Sequence, residues 1–350
     1  MPSHGLARKD HLVLIIAVIS ALVITSSSIS NYYGYFGFTK VTYGQTDPSQ
    51  TNSNSTNAVN TQNIPLKKVH VGDIDVAYKM FGRGEPLILF NGASDNMDAW
   101  DPSFLTGLAS NHTVIVFDQR GIANSTVGSK PYTYPQLAND TAGLLDALKI
   151  PKADVMGYSL GGHIAQAFTI SHPEKVNRLI LVATTCGGKD GIPKPPEFLK
   201  LQADAINKSL HNIPITQELK ALNVASLGSG WIKLHPETAV IPANTTSLQQ
   251  LKPGLSPDIA NKQNNLGSWE KTNWSGACDK EAKLAKPTLV ITGTDDNNYM
   301  PHGNALILAS KIPGAWLVQI KNAGHAVMNQ YPAEIGKIVN TFLSTTTPNK

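Results

Sequence analysis

The chain has 350 residues, 41% of them hydrophobic and 15% charged, with a formal net charge of +4. That composition is ordinary for a globular protein and excludes a wholly disordered, collagen-like or coiled-coil chain. The small, scattered positive charge leaves no nucleic-acid footprint, and two cysteines make neither a disulfide-dense scaffold nor a zinc pattern.

Arg8 and Lys9 precede an apolar run over residues 12–25. A membrane span needs about 20 residues, so the run alone has the length of a signal-peptide h-region. No charge occurs between Asp10 and Lys40, however, and the aromatic cluster Tyr32-Tyr33-Gly34-Tyr35-Phe36 follows, as at a membrane interface. Residues 1–40 therefore read as a signal or membrane anchor, the anchor being preferred, while Ser26, Ser28 and Ser30 leave cleavage open. Arg8 and Lys9 stay inside and the remainder is exported, as an extracytoplasmic domain or, after cleavage, a secreted one. Residues 41–66 read as a flexible polar linker. Its stretch 44–63 carries almost no large apolar side chain and cannot repay the entropy of ordering. Twenty such residues span about 25 Å, from ~5–6 Å × √n. Sequons begin at Asn54, Asn111, Asn124, Asn139, Asn207, Asn244 and Asn273 and agree with export.

The body, 67–343, alternates strand and helix. Residues 69–81 form a hairpin pattern around Gly72-Asp73. Short continuous apolar runs follow at 86–90, 114–117, 155–156, 179–182, 288–291 and 316–320. Runs apolar on both faces imply strands buried on both faces, hence a mostly parallel, doubly wound sheet. Helical periodicity falls at 134–148, 162–171, 302–311 and 332–343. The class is α/β. Residues 187–278 break the alternation: they hold no clean strand, and helical pieces at 196–209 and 216–226 make them a helical insertion. Residues 344–350 read as a polar tail.

Gly157-Tyr158-Ser159-Leu160-Gly161-Gly162 matches G-x-S-x-G between a buried strand and a helix. That context places Ser159 on a strained turn with its hydroxyl exposed. A serine needs a histidine base held in one tautomer by a carboxylate. Asp296 follows the 288–291 strand and His325 the last strand, so the chain order is Ser, Asp, His, and all three gather at the carboxyl edge of one sheet. Asp295 is the rival acid; Asp296 is preferred because it lies three residues after Gly293, and Asp295 is left to cap a turn or helix. Two backbone N–H groups should form an oxyanion hole: Leu160, directly after the nucleophile, and Ala93, after Asn91-Gly92. His163 and His172 read as surface or capping groups, and His235 and His302 as candidate pocket residues. Cys186 reads as buried rather than reactive, and a Cys186–Cys278 pairing is left open.

These features together resemble the α/β-hydrolase fold superfamily. The residues that carry the likeness are the 87–92 strand and turn, Phe117-Asp118-Gln119-Arg120-Gly121, the 157–162 turn, His172-Pro173-Glu174, the 293–296 loop and Gly324-His325. The resemblance implies nucleophile, acid and base roles for Ser159, Asp296 and His325, and a mobile cap at 187–278. Two departures stand out. Asn91 replaces the usual histidine of the oxyanion loop, which puts that loop's bracing in question. The R-G-x-G-x-S pattern reads Arg120-Gly121-Ile122-Ala123-Asn124-Ser125, so the loop should bend differently. The expected activity is serine-dependent hydrolysis of an ester-like acyl bond in a small molecule. The alternatives are a cofactor-free perhydrolase or haloperoxidase, a carbon–carbon bond hydrolase, and a non-catalytic binding module, though a module would more readily have lost a triad residue. No metal or organic cofactor is expected, because no ligand-spaced cluster and no dinucleotide fingerprint occur.

Overall fold

The strands occur where apolar, β-branched runs leave no helical period: β1 (Lys67–Val71), β2 (Ile74–Gly82), β3 (Glu85–Phe90), β4 (His112–Phe117), β5 (Ala153–Tyr158), β6 (Val176–Val182), β7 (Thr288–Gly293) and β8 (Trp316–Ile320). The structure, a computed structural model, describes residues 63–93, 95–210, 213–240, 259, 266, 277–283 and 286–345. One sheet joins the strands in the order β1-β2-β4-β3-β5-β6-β7-β8. The β1–β2 and β2–β4 pairs are antiparallel, and every pair from β4 onward is parallel.

Adjacent strand residues feed two separate cores. Leu87, Leu89, Val114, Val116 and Met156 belong to one cluster. Ile88, Phe90, Ile115, Phe117 and Val155 belong to the other. This is why the runs are continuous rather than alternating. Each fully buried aliphatic chain contributes roughly 1.5–3 kcal/mol, so the central strands hold most of the driving force. One face is covered by α1 (Pro102–Ala109) and α10 (Pro332–Thr345), the other by α2 (Tyr134–Ala147), α3 (Leu160–Ser171) and α8 (Gly303–Lys311). The strand β8 departs from the expectation of two buried faces. It lies at the sheet edge, and its residues are exposed or half-buried.

Helix α1 escapes periodicity because it is short. Its start is written in Asp101-Pro102: the Asp101 carboxylate accepts from the N–H groups of Ser103 and Phe104, and Pro102 supplies the helical φ. The described part of 187–278 contains α4 (Pro196–Leu210), α5 (Thr216–Leu227), α6 (Ser229–Leu234) and the first residue of the short helix α7 (Cys278–Glu281), and no strand. A short helix, α9 (Val327–Gln330), precedes α10. Cys186 and Cys278 form a disulfide at the two roots of this helical region, with a Cα–Cα distance of 5.3 Å. Ala277 N–H also donates to Cys186 O at 2.9 Å. Ser344 and Thr345, read from the sequence as the start of the tail, instead complete α10.

The N-terminal segment 1–40, linker residues 41–62, the sequons at Asn54, Asn244 and Asn273, and tail residues 346–350 lie outside the described residues. Among the described residues, no helix is long and apolar enough to cross a membrane.

Candidate active site

The chain winds from β3 to β4 in one direction and from β5 to β6 in the other, so the order reverses between β3 and β5. Loops at the carboxyl ends of strands meet at such a switch point. Ser159 follows β5 there, at φ +54° and ψ −119°. A non-glycine residue held in this region stores strain of roughly 1–3 kcal/mol. The strain is held by a dense set of bonds. Ser159 N–H donates to Val182 O, and Ser159 O accepts from Gly162 N–H and from the Thr184 hydroxyl, all at 2.9 Å. The flanking glycines permit the turn: a Cβ on Gly157 would lie 2.3 Å from Gly161 O, and one on Gly161 would lie 2.2 Å from Phe90 O. The start of α3 therefore rests backbone-to-backbone on the end of β3.

The three residues singled out from sequence converge. His325 Nε2 lies 3.0 Å from Ser159 Oγ, and His325 Nδ1 lies 2.6 Å from Asp296 Oδ2. Asp296 and His325 are fully buried and Ser159 is nearly so. A carboxylate can only accept, so Nδ1 carries the hydrogen and Nε2 is left to accept from the serine hydroxyl. Met300 N–H donates to the other Asp296 oxygen at 3.1 Å, which fixes the carboxylate plane. The rival Asp295 points elsewhere: its Oδ2 accepts from Gly230 N–H at 2.6 Å and the Ser229 hydroxyl at 3.3 Å, at the start of α6.

Two tyrosines that the sequence pattern did not single out enclose the imidazole. The Tyr299 ring stacks on His325 at 4.9 Å and 15°, and the Tyr158 ring lies 5.5 Å away on a tilt of 33°. Tyr158 also donates its hydroxyl to His325 O at 3.1 Å. Burial pushes both phenols well above their ordinary range, and the nearby Asp296 charge adds to the effect. Both remain neutral rings against the imidazole. Their positions offered a signal, since Tyr158 directly precedes the nucleophile and Tyr299 follows Asp296 by three residues.

Leu160 is the first residue of α3, so its N–H lies outside the intrahelical ladder. Ala93 sits, buried, in the turn after β3. The bracing put in question by Asn91 is present. The Asn91 side-chain amide donates to Asn96 O, and Gln119 Nε2 donates to Asn91 O at 3.2 Å. Asp118 accepts from Met97 N–H at 2.8 Å and from Asn124 N–H at 3.0 Å. Arg120 uses all five of its donors on Asp73, Asp140 and Val127 O, tying this loop to the β1–β2 turn and to α2. Ala123 adopts φ +41°, the left-handed conformation that a glycine would take freely. The turn places a strained alanine at this position.

The remaining histidines sort plainly. His163 is buried in α3, with Nδ1 3.2 Å from the Tyr134 hydroxyl, which corrects its reading as a surface group. Burial, and then the charge of Lys194, push its pKa down to about 3. His172 caps the end of α3 as expected, donating its N–H to Phe168 O. The backbone N–H of His302 donates to Asp296 O at 2.7 Å, so His302 belongs to the acid loop. The His235 ring packs on Trp231 at 4.0 Å. Cys186 is buried in the disulfide.

The sequence pattern of the α/β hydrolase fold matches residues 85–329. The chain belongs to this family. Among its relatives, a poly(3-hydroxyalkanoate) depolymerase of Ectopseudomonas oleovorans is 30% identical over 266 residues, which cover 74% of this chain and 84% of that protein. A 2-hydroxy-6-oxononadienedioate/2-hydroxy-6-oxononatrienedioate hydrolase of Paraburkholderia xenovorans strain LB400 is 26% identical, over 78% of this chain and 92% of that one. The solved structure of Est816, described as an N-acyl homoserine lactone degrading enzyme, superposes with a TM-score of 0.61 at 25% identity, covering 79% of this chain and all of that one. Family and relatives make this α/β hydrolase an enzyme.

Proposed function

We propose that the chain is a serine hydrolase that cleaves an ester-like acyl bond through an acyl-enzyme intermediate. The observation that carries this reading is the continuous line from Ser159 Oγ through His325 to Asp296, at 3.0 and 2.6 Å. Ser159 Oγ attacks the acyl carbonyl carbon while His325 Nε2 takes the hydroxyl proton. The N–H groups of Leu160 and Ala93 receive the developing oxyanion. His325 returns its proton to the departing alcohol oxygen as the acyl–oxygen bond breaks. Water then enters and attacks the acyl carbon while giving a proton to His325, and His325 returns that proton to Ser159 Oγ as the acyl–Oγ bond breaks and the carboxylic acid leaves.

The test is turnover of a panel of purified substrates: short p-nitrophenyl esters, 3-hydroxyalkanoate ester oligomers and acyl lactones. Hydrolysis that falls by at least 10³ in Ser159→Ala supports the proposal, and equal hydrolysis by both proteins overturns it. A second reading, cleavage of a carbon–carbon bond, is favoured by the likeness to the Paraburkholderia enzyme. Turnover of vinylogous diketones with no ester hydrolysis would select it. Peroxide-dependent halogenation without ester hydrolysis would select the perhydrolase alternative.

The proposal extends to location. The domain at 67–343 works outside the cytoplasmic membrane, joined through the linker at 41–66 to a membrane segment within 1–40. Disulfides persist in oxidising compartments, and the Cys186–Cys278 bond supports this placement. Activity in the membrane fraction, released by protease added from outside, supports it; activity confined to the cytosol overturns it.

A further inference from the structure

The elbow between α5 and α6, residues 226–230, is fastened to both catalytic loops at once. On the base side, Ala326 N–H donates to Ser226 O at 3.0 Å. Gln330, buried on α9, accepts from Gly324 N–H at 2.9 Å through Oε1 and donates to Leu227 O at 2.7 Å through Nε2. One side chain thus links the residue before His325 to the end of α5. On the acid side, Asp295 holds the start of α6 through Gly230 N–H and the Ser229 hydroxyl, and its own N–H donates to Ala323 O at 2.8 Å. The backbones touch. A Cβ on Gly324 would lie 2.4 Å from Ser226 O, and one on Gly228, at φ +80°, would lie 2.6 Å from the Asp295 Cβ. Contacts this close leave no room for sliding.

We propose that this elbow is a fixed brace that sets the base and the acid against the nucleophile, and that Gln330 is the positioning residue that carries its effect to His325. Gln330 touches neither substrate nor the reacting atoms. It acts through Gly324, whose N–H it holds, and so sets the approach of Nε2 to Ser159 Oγ. The proposal rests on the serine-hydrolase reading, and its test separates the two.

Hydrogen exchange of the full chain, read by mass spectrometry, needs no activity. Segments 224–231 and 322–327 should be protected in the wild type and should gain exchange together in Gln330→Leu. Kinetics on a p-nitrophenyl ester then separate positioning from general damage. Gln330→Leu should lower kcat about tenfold with KM unchanged, since displacements under 1 Å cost less than the ~10²-fold of a full ångström. Gln330→Glu keeps the acceptor for Gly324 N–H but loses the donor to Leu227 O. It should recover most of kcat while segment 224–231 still exchanges faster. Rapid exchange of 224–231 in the wild type overturns the brace. A Gln330→Leu protein with lowered thermal stability and unchanged kcat overturns the positioning role. A wild type that hydrolyses no ester but shows coupled protection of the two segments retains the brace and refutes the activity on which its catalytic purpose rests.

Discussion

Removing the Cys186–Cys278 bond should cost the protein a calculable share of its stability. The two residues are 92 apart in sequence, and cross-linking them removes conformations chiefly from the unfolded chain. The chain-entropy relation, a constant near 2.1 plus 1.5R ln n in cal/mol/K, gives about 4.6 kcal/mol at 25 °C for this loop. The native side changes little, because Ala277 N–H still donates to Cys186 O and the surroundings of both residues are apolar. The double variant Cys186→Ala/Cys278→Ala should therefore lose about 3–5 kcal/mol in urea unfolding followed by tryptophan fluorescence. At ~2–4 °C per kcal/mol for a domain of this size, Tm should fall by roughly 6–20 °C. Ester hydrolysis below the new Tm should persist, since neither cysteine touches the triad. A loss under about 1 kcal/mol, where the closure relation asks for several, would refute the reasoning. So would two titratable thiols in the unfolded, unreduced wild type.

Further expectations concern the acid, the buried histidine and the strained turn. Asp296→Asn should lower kcat by about 10⁴ by leaving His325 in the wrong tautomer, whereas Asp295→Asn should cost less than about 10², the scale of a 1 Å misplacement, because Asp295 holds α6; steady-state kinetics on one ester compares them. His163, with a pKa of about 3 when folded against an ordinary 6.5, stays neutral while the unfolded chain takes up a proton below pH 6.5. Its stabilising contribution is complete above that pH and is lost as pH falls toward 3, at about 1.4 kcal/mol per unit. Between pH 7 and pH 5, wild type should therefore lose about 2 kcal/mol more than His163→Gln in urea titrations; parallel losses would contradict the buried, neutral ring. Ala123→Gly should relieve the left-handed strain at φ +41°. Because glycine also raises the entropy of the unfolded chain, the net gain in thermal unfolding should be about 0.5 kcal/mol or less, and a clear loss would contradict the strain.

The sheet was legible because its central strands are apolar on both sides, and Leu87 to Phe90 feed two cores in alternation. The edge strand β8 carried the same pattern, yet it is half-exposed, since composition does not encode which strand lies last. The meeting of Ser159, Asp296 and His325 was legible because each falls just after a strand, and strand ends converge at a switch point. Choosing Asp296 over Asp295 required only loop spacing. What the sequence hid were contacts across long separations. Tyr299 stacks on His325 from a different loop, and Gln330 joins Gly324 to Leu227, 103 residues away. His163 shows the opposite failure: a polar residue in an apolar helix reads as a surface or capping group, but a tyrosine hydroxyl lets it be buried.

The central claim is that Ser159 becomes covalently acylated with His325 as its base. Incubating the purified protein with a fluorophosphonate and mapping the adduct by peptide mass spectrometry tests this most directly. The account predicts one adduct per chain, on Ser159, absent in Ser159→Ala and formed at least 10³-fold more slowly in His325→Ala. A folded wild type that stays unlabelled, or one labelled at another residue with Ser159 untouched, would contradict it.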